Sequence, residues 1–267
     1  MKPRSAGRAR PGRRAFPSPL AHDLGEARLF LGRFDEEALR RELDREGILR
    51  GLAARGYLEP VLHTSVESGE HRLLIRPRDT RTSLVDLRLL ETTELVTEEV
   101  VRDGGLEVLS VLFNSWLSLQ DPRALFTSER PRLPGQRFPG LGLARAFYTL
   151  MTRWAREWGK DAVLATPEYF HNAVFYSPEF RFLSPREQGR FLALRRDLGS
   201  LSVAQASAAI LDGRVRDLGA SRILTWQPGV IVSAVSEALA RALESEGYSR
   251  ASLASLAEAR FVSDDAV

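Results

Sequence analysis

The stretch Arg137-Phe138-Pro139-Gly140-Leu141-Gly142 concentrates more chemistry than any other part of the sequence. It lies between a long apolar run, Val108–Leu119, and the most regular helical pattern in the chain, Leu141–Trp158. The first turn of a helix presents amides that have no intrahelical acceptor. Its dipole favours an anion by about 0.3 to 2 kcal/mol. Gly140 and Gly142 admit a close backbone approach, and Arg137 adds a charge-assisted bond. A phosphate group suits such a loop. No Lys-Ser/Thr pair follows the glycines, so this is not a Walker A loop. The third glycine and the ribose-binding acid of a dinucleotide fingerprint are also missing.

Proton-handling groups are scattered around this loop. Glu91 and Glu94 fall just past an expected strand, Ser83–Leu90. Glu168 closes another, Ala162–Ala165, and His171 is three residues on. Each is suited to relay a proton directly or through water. The alternative for the acids is a solvated loop carboxylate, and for His171 a half-buried ring satisfying a carbonyl. The chain has no cysteine, which excludes a thiol nucleophile, disulfides and cysteine-ligated zinc or iron–sulfur centres. His22, His63, His71 and His171 form no HExxH spacing, so a zinc site is not expected.

The elements that must position these groups follow from periodicity. Ala144, Phe147, Met151, Trp154 and Trp158 recur at helical spacing and make one apolar face, with Gly159 as the stop. The two tryptophans read as core anchors. A strand, this helix and the strand Ala162–Ala165 form a parallel crossover unit. Upstream, Asp35 with Glu36 and Glu37 starts a helix running towards Gly56, its apolar stripe being Leu39, Leu43, Ile48 and Leu52. Val61–Val66 and Arg72–Ile75 read as a hairpin turning at Ser68-Gly69. Residues 121–139, with Pro122, Pro131, Pro134 and Pro139, read as a loop. Downstream come a short helix over His171–Tyr176, a strand at Phe180–Leu183 and a helix from Ser184-Pro185 to about Arg196. Val203–Leu211 and Ile231–Leu243 are expected helices and Arg222–Trp226 an expected strand. From about Ser249 the expectation is a short helix and a frayed end.

Residues 105–183 resemble the GCN5-related N-acetyltransferase (GNAT) superfamily. Its donor signature is Arg or Gln, two residues, Gly, one residue, then Gly or Ala, and Arg137, Gly140 and Gly142 fill the fixed positions. Asn172-Ala173-Val174-Phe175-Tyr176 followed by Phe180-Arg181-Phe182 is similar to a second region of that family. The resemblance implies a mixed central sheet flanked by helices, with a C-terminal extension. It implies that the amides around Gly140, Leu141 and Gly142 hold the pyrophosphate of acetyl-CoA or another acyl-CoA. The preceding strand, near Leu117 and Leu119, would part from its neighbour to admit the pantetheine arm, with Asn172 nearby. Tyr176 matches the tyrosine that protonates the departing thiolate. The implied activity is transfer of an acyl group to an amine, with a non-catalytic acyl-CoA sensor or a structural domain on the same fold as the alternatives.

At 267 residues and 43% apolar content, the chain can bury a sizeable core. The net charge is +3, of which residues 1–20 contribute +6 and the remainder −3. The folded part is therefore not expected to bind nucleic acid. The expected organisation is a disordered basic leader over 1–20, an α/β domain over 21–198 and a helical extension over 199–267 that completes the sheet, dimerises the protein or covers the acceptor cleft. The partner expected is a small-molecule or peptide amine, with a homodimer left open. No run approaches the ~18 apolar residues of a membrane span, and a cytoplasmic location is the expectation.

Overall fold

A computed structural model describes residues 29–102 and 105–265, so the expected basic leader lies outside the described residues. Among these, seven strands form a mixed sheet flanked by helices, and three more form a small second sheet.

The chain enters through α1 (Glu36–Arg45) and α2 (Ile48–Ala53). Asp35 caps α1 by accepting from the Ala38 amide at 2.7 Å. The single helix expected here is broken in two, because Gly47 adopts a left-handed conformation at φ 72°. The stripe survives the break, and Leu39, Leu43, Ile48 and Leu52 are all fully buried. β1 (Val61–Glu67) and β2 (Glu70–Arg76) pair antiparallel. Their two-residue turn places Ser68 and Gly69 at φ 52° and 81°, the conformation that matches the twist of a tight hairpin.

β3 (Val85–Leu95) and β4 (Val108–Leu119) continue the sheet antiparallel, with the short α3 (Glu99–Arg102) in the segment between them. β3 runs five residues beyond the expected Leu90, so Glu91 and Glu94 sit within a strand, paired with Leu112 and Leu109. α4 (Ala144–Glu157) then crosses to β5 (Ala162–Ala165), which pairs parallel with β4 from Val111↔Ala162 to Asn114↔Ala165. α4 starts three residues later than periodicity suggests, because Gly142 at φ 68° cannot join a right-handed helix. Phe147, Met151 and Trp154 of α4 are fully buried. Trp154 stacks on Phe34 and Trp158, and its indole donates to Glu42 at 2.8 Å. Both tryptophans are therefore structural.

After α5 (Phe170–Tyr176), β6 (Arg181–Phe182), α6 (Pro185–Asp197) and α7 (Val203–Leu211), the C-terminal part departs from expectation. β7 (Val215–Asp217) and β8 (Arg222–Ile223) form the small sheet, so Arg222–Trp226 does not return to the main one. Ile231–Leu243 is not one helix. It is β9 (Ile231–Ala234), then α8 (Glu237–Glu244) capped by Ser236. β9 inserts between β5 and β6, pairing antiparallel with both. Ile231, Val232 and Ser233 are buried there, and β-branched pairs suit a central strand better than a helix. After α9 (Glu246–Glu258), residues 261–263 pair with β7 as β10 (Phe261–Ser263) rather than fraying.

α6 and α9 pack backbone against backbone at Gly189, where an added Cβ would lie 2.2 Å from the Ser252 carbonyl oxygen. Gly189→Ala is expected to destabilise the protein by about 1 to 3 kcal/mol through overpacking, measured by denaturant unfolding. Among the described residues no helix is long and apolar enough to cross a membrane.

Candidate functional site

β4 pairs with β5 only as far as Asn114↔Ala165, whereas its pairing with β3 continues to Leu119. Among the described residues the β5 side of β4 is therefore unpartnered from Ser115 to Leu119. A bulge marks the start of this opening. Arg88 faces Trp116 and Leu89 faces Asn114, leaving Ser115 as the extra residue. Bulges bend and twist a strand locally, which turns the end of β4 away from its neighbour. The result is a cleft of ≈ 1140 Å³, walled by the end of β4, residues 166–169 after β5, the 129–142 loop and α5. Trp226, on the loop after β8, donates to the Pro167 carbonyl at 3.0 Å and fixes the β5 wall.

The loop over 121–139 is tied down at several points. Tyr57 donates to Asp121 at 2.5 Å, and Arg123 stacks on the Tyr57 ring. Gly135, at φ 75°, lies so close to Tyr169 that a Cβ would approach its ring to 2.7 Å. The Asp121 amide donates to the Pro139 carbonyl at 2.7 Å, and Arg130 to the Gly140 carbonyl at 2.7 Å. In a trans peptide the N–H points opposite to its carbonyl, so these two bonds turn the Gly140 and Leu141 amides away from the 121–130 segment.

Among the described residues, no amide from Gly140 to Arg145 has an intramolecular acceptor. The N-cap position of α4 is Leu143, which provides no side-chain cap, and the first turn carries no acid. The buried side chains of Leu141 and Leu143 anchor this backbone, Leu143 lying against Gly51 of α2. Arg137 and Arg145 line the same cleft, Arg137 stacked on Phe138 and Arg145 paired with Glu179 at 3.5 Å. Open amides and guanidinium groups of this kind are suited to an anion.

At the closed end lie Asn114, Tyr148 and Tyr176. Asn114 donates to the Tyr176 phenol oxygen at 3.3 Å, and its own carbonyl oxygen, buried, has no partner among the described residues. Such an orphan costs about 1 to 3 kcal/mol. Tyr148 stacks on Tyr176 with ring centroids 4.6 Å apart. Burial pushes the Tyr176 phenol above its ordinary value, while hydrogen bonds from Tyr148 and Asn114 pull it back. Burial, with Tyr176 beside it, also raises Tyr148. Both phenols are therefore protonated at neutral pH; Tyr148 directs its proton to Tyr176, and the Tyr176 proton is the one left for a ligand. Tyr148 falls one position off the apolar stripe of α4, and nothing in the linear sequence marks its proximity to Tyr176.

Leu117 and Leu119 line the cleft on the unpartnered segment of β4. Asn172 lines it too, but its side-chain oxygen is spent capping α5, accepting from the Tyr169 amide at 3.1 Å. Glu168 is exposed at the rim. His171 is 3% exposed, and its Nδ1 lies 2.8 Å from the Ser207 hydroxyl of α7. Burial lowers it to about 4, so it is neutral and only weakly basic at pH 7. Glu91 is not in the cleft. It is paired with Arg33 and, at 2.8 Å, with Lys160. Burial alone would raise Glu91, but the bonds from Arg33 and Lys160 outweigh it and hold the carboxylate below its usual range. The structure thus gathers Leu117, Leu119, Arg137, Gly140–Gly142, Glu168, His171, Asn172 and Tyr176 around one cleft and leaves Glu91 outside it. Among the described residues no cluster of His, Asp or Glu could hold a metal ion.

The chain matches no protein-family model, and no curated protein matches it. The chemistry of the cleft therefore follows from its own residues.

Proposed function

We propose that this chain is an acyl-CoA-dependent N-acyltransferase on a GNAT-like fold. The observation that carries this reading is the row of unsatisfied amides from Gly140 into the first turn of α4, beside a gap between two parallel strands. The diphosphate of CoA fits the amides, with Arg137 and Arg145 as counter-charges. The pantetheine arm lies along Ser115–Leu119, whose unpaired edge offers strand-like hydrogen bonds. The thioester then reaches Asn114 and Tyr176. A neutral amine attacks the thioester carbon, the C–N bond forms and the C–S bond breaks. Tyr176 gives its proton to the departing sulfur, and the proton lost by the amine passes to solvent or to Glu168 at the rim. Holding both reactants supplies much of the rate enhancement.

A specific observation favours a second reading, a non-catalytic acyl-CoA sensor. Among the described residues no carboxylate bonds Asn114, Tyr148 or Tyr176, and His171 is engaged with Ser207 and too weakly basic to serve near neutrality. Incubation with radiolabelled acetyl-CoA and longer acyl-CoAs plus pooled amines separates the two. The enzyme reading expects label on an amine, with a rate that does not titrate near pH 6.5. Saturable acyl-CoA binding without any transfer would establish the sensor, and absence of binding would exclude both.

A further inference from the structure

Asn114 occupies the last paired position before β4 and β5 part, immediately ahead of the bulge residue Ser115. It is 3% exposed and forms part of the cleft floor. An amide can present either its nitrogen or its oxygen to a neighbouring hydroxyl. In the first case, Nδ2 donates to the Tyr176 oxygen, as observed at 3.3 Å, and Oδ1 is left without a donor. In the other, Oδ1 would accept the Tyr176 proton and consume it. The observed arrangement forgoes that bond. With Asn114 donating to its oxygen and the Tyr148 ring stacked on it at 4.6 Å, the Tyr176 hydroxyl is confined, and its proton is not used by Asn114.

We propose that Asn114 is a positioning residue that holds the Tyr176 phenol by its oxygen and so leaves the phenol proton directed at the sulfur of a bound thiol or thioester. The inference rests on the acyl-CoA reading above. It assigns no new contact between Asn114 and substrate. Asn114 acts through Tyr176, and its effect is to favour the thiolate of the departing CoA.

The absence of cysteine makes the test direct, since in the protein–CoA complex the only thiol is that of CoA. Calorimetry first establishes saturation of wild type and each variant with CoA. The rate of alkylation of bound CoA by iodoacetamide is then measured from pH 6 to 10, and its midpoint is compared with that of free CoA. The wild-type midpoint is expected about one pH unit below the free thiol. Tyr176→Phe should abolish that shift. Asn114→Leu, which keeps the side-chain volume but cannot donate to the Tyr176 oxygen, should remove at least half of it. If Asn114→Leu does not fold, Asn114→Ala carries the same expectation. A wild-type midpoint in a folded, CoA-saturated Asn114 variant would overturn the inference while leaving the acyl-CoA reading intact. Failure of the wild-type protein to bind CoA would overturn that reading and the inference with it.

Discussion

Gly140→Leu is expected to fold like the wild type and to bind CoA about 100-fold more weakly. Gly140 does not have a positive φ, and a Cβ added there would meet only the Leu119 carbonyl oxygen, at 3.7 Å, an ordinary contact. The protein itself therefore has room for a side chain, and stability should change by no more than about 0.5 kcal/mol. The space such a side chain fills is the cleft between the loop and the end of β4. Blocking two charge-assisted amide bonds, each worth about 1.5 to 3 kcal/mol, accounts for a loss of at least the ~2.7 kcal/mol that 100-fold requires. Gly142 offers no such clean test. At φ 68° any other residue strains the backbone, and its Cβ would press on Arg55 at 3.3 Å. Thermal unfolding paired with calorimetric titration reads both halves of the expectation.

The second large effect is on stability. Burial holds His171 at about 4 in the folded protein, against about 6.5 for an exposed imidazole. Its folded value is depressed, so unfolding takes up a proton between these limits. The stability it contributes is fully present above about pH 6.5 and is lost as pH falls towards 4. The shift corresponds to roughly 3 kcal/mol, most of it gone by pH 4.5. His71, whose Nδ1 accepts from the Leu31 amide at 2.9 Å, is displaced in the same direction by burial. The wild-type slope therefore combines both rings, and comparison with His171→Gln isolates one of them. Denaturant unfolding between pH 7.5 and 4.5 should show a slope shallower in His171→Gln by about 2 to 3 kcal/mol across that interval. Equal slopes would mean that His171 takes up its proton alike in the folded and unfolded states.

Much of the first two-thirds of the fold was legible because its signals are local. β4 and β5 match their expected bounds, since each is a dense apolar run closed by a breaker, and the apolar face of α4 follows a strict helical spacing. Legibility failed where long-range pairing decides. Ile231–Leu243 carries enough alanine and leucine to suggest a helix, yet pairing with β5 on one side and β6 on the other makes its first four residues a strand. β10 depends likewise on β7, a partner over forty residues away in sequence. Conformational detail was also hidden. The sequence marks Gly142 as small, but not that its positive φ delays the helix and leaves the loop amides open. Glu91 lies away from the cleft for a simple reason. Extension of β3 by five residues carried it from a presumed loop mouth into a strand, where Lys160, from the turn before β5, neutralises it. The gathering of Tyr148, Tyr176 and Asn114 comes from three elements and has no linear signature at all.

The reading depends on main-chain donors recognising a diphosphate, and the most direct test compares two ligands on the unaltered protein. CoA and pantetheine share the thiol arm, but only CoA carries the diphosphate. Calorimetric titration is expected to give CoA an affinity at least about 100-fold above that of pantetheine. Equal affinities for the two, or no binding of CoA, would contradict the account.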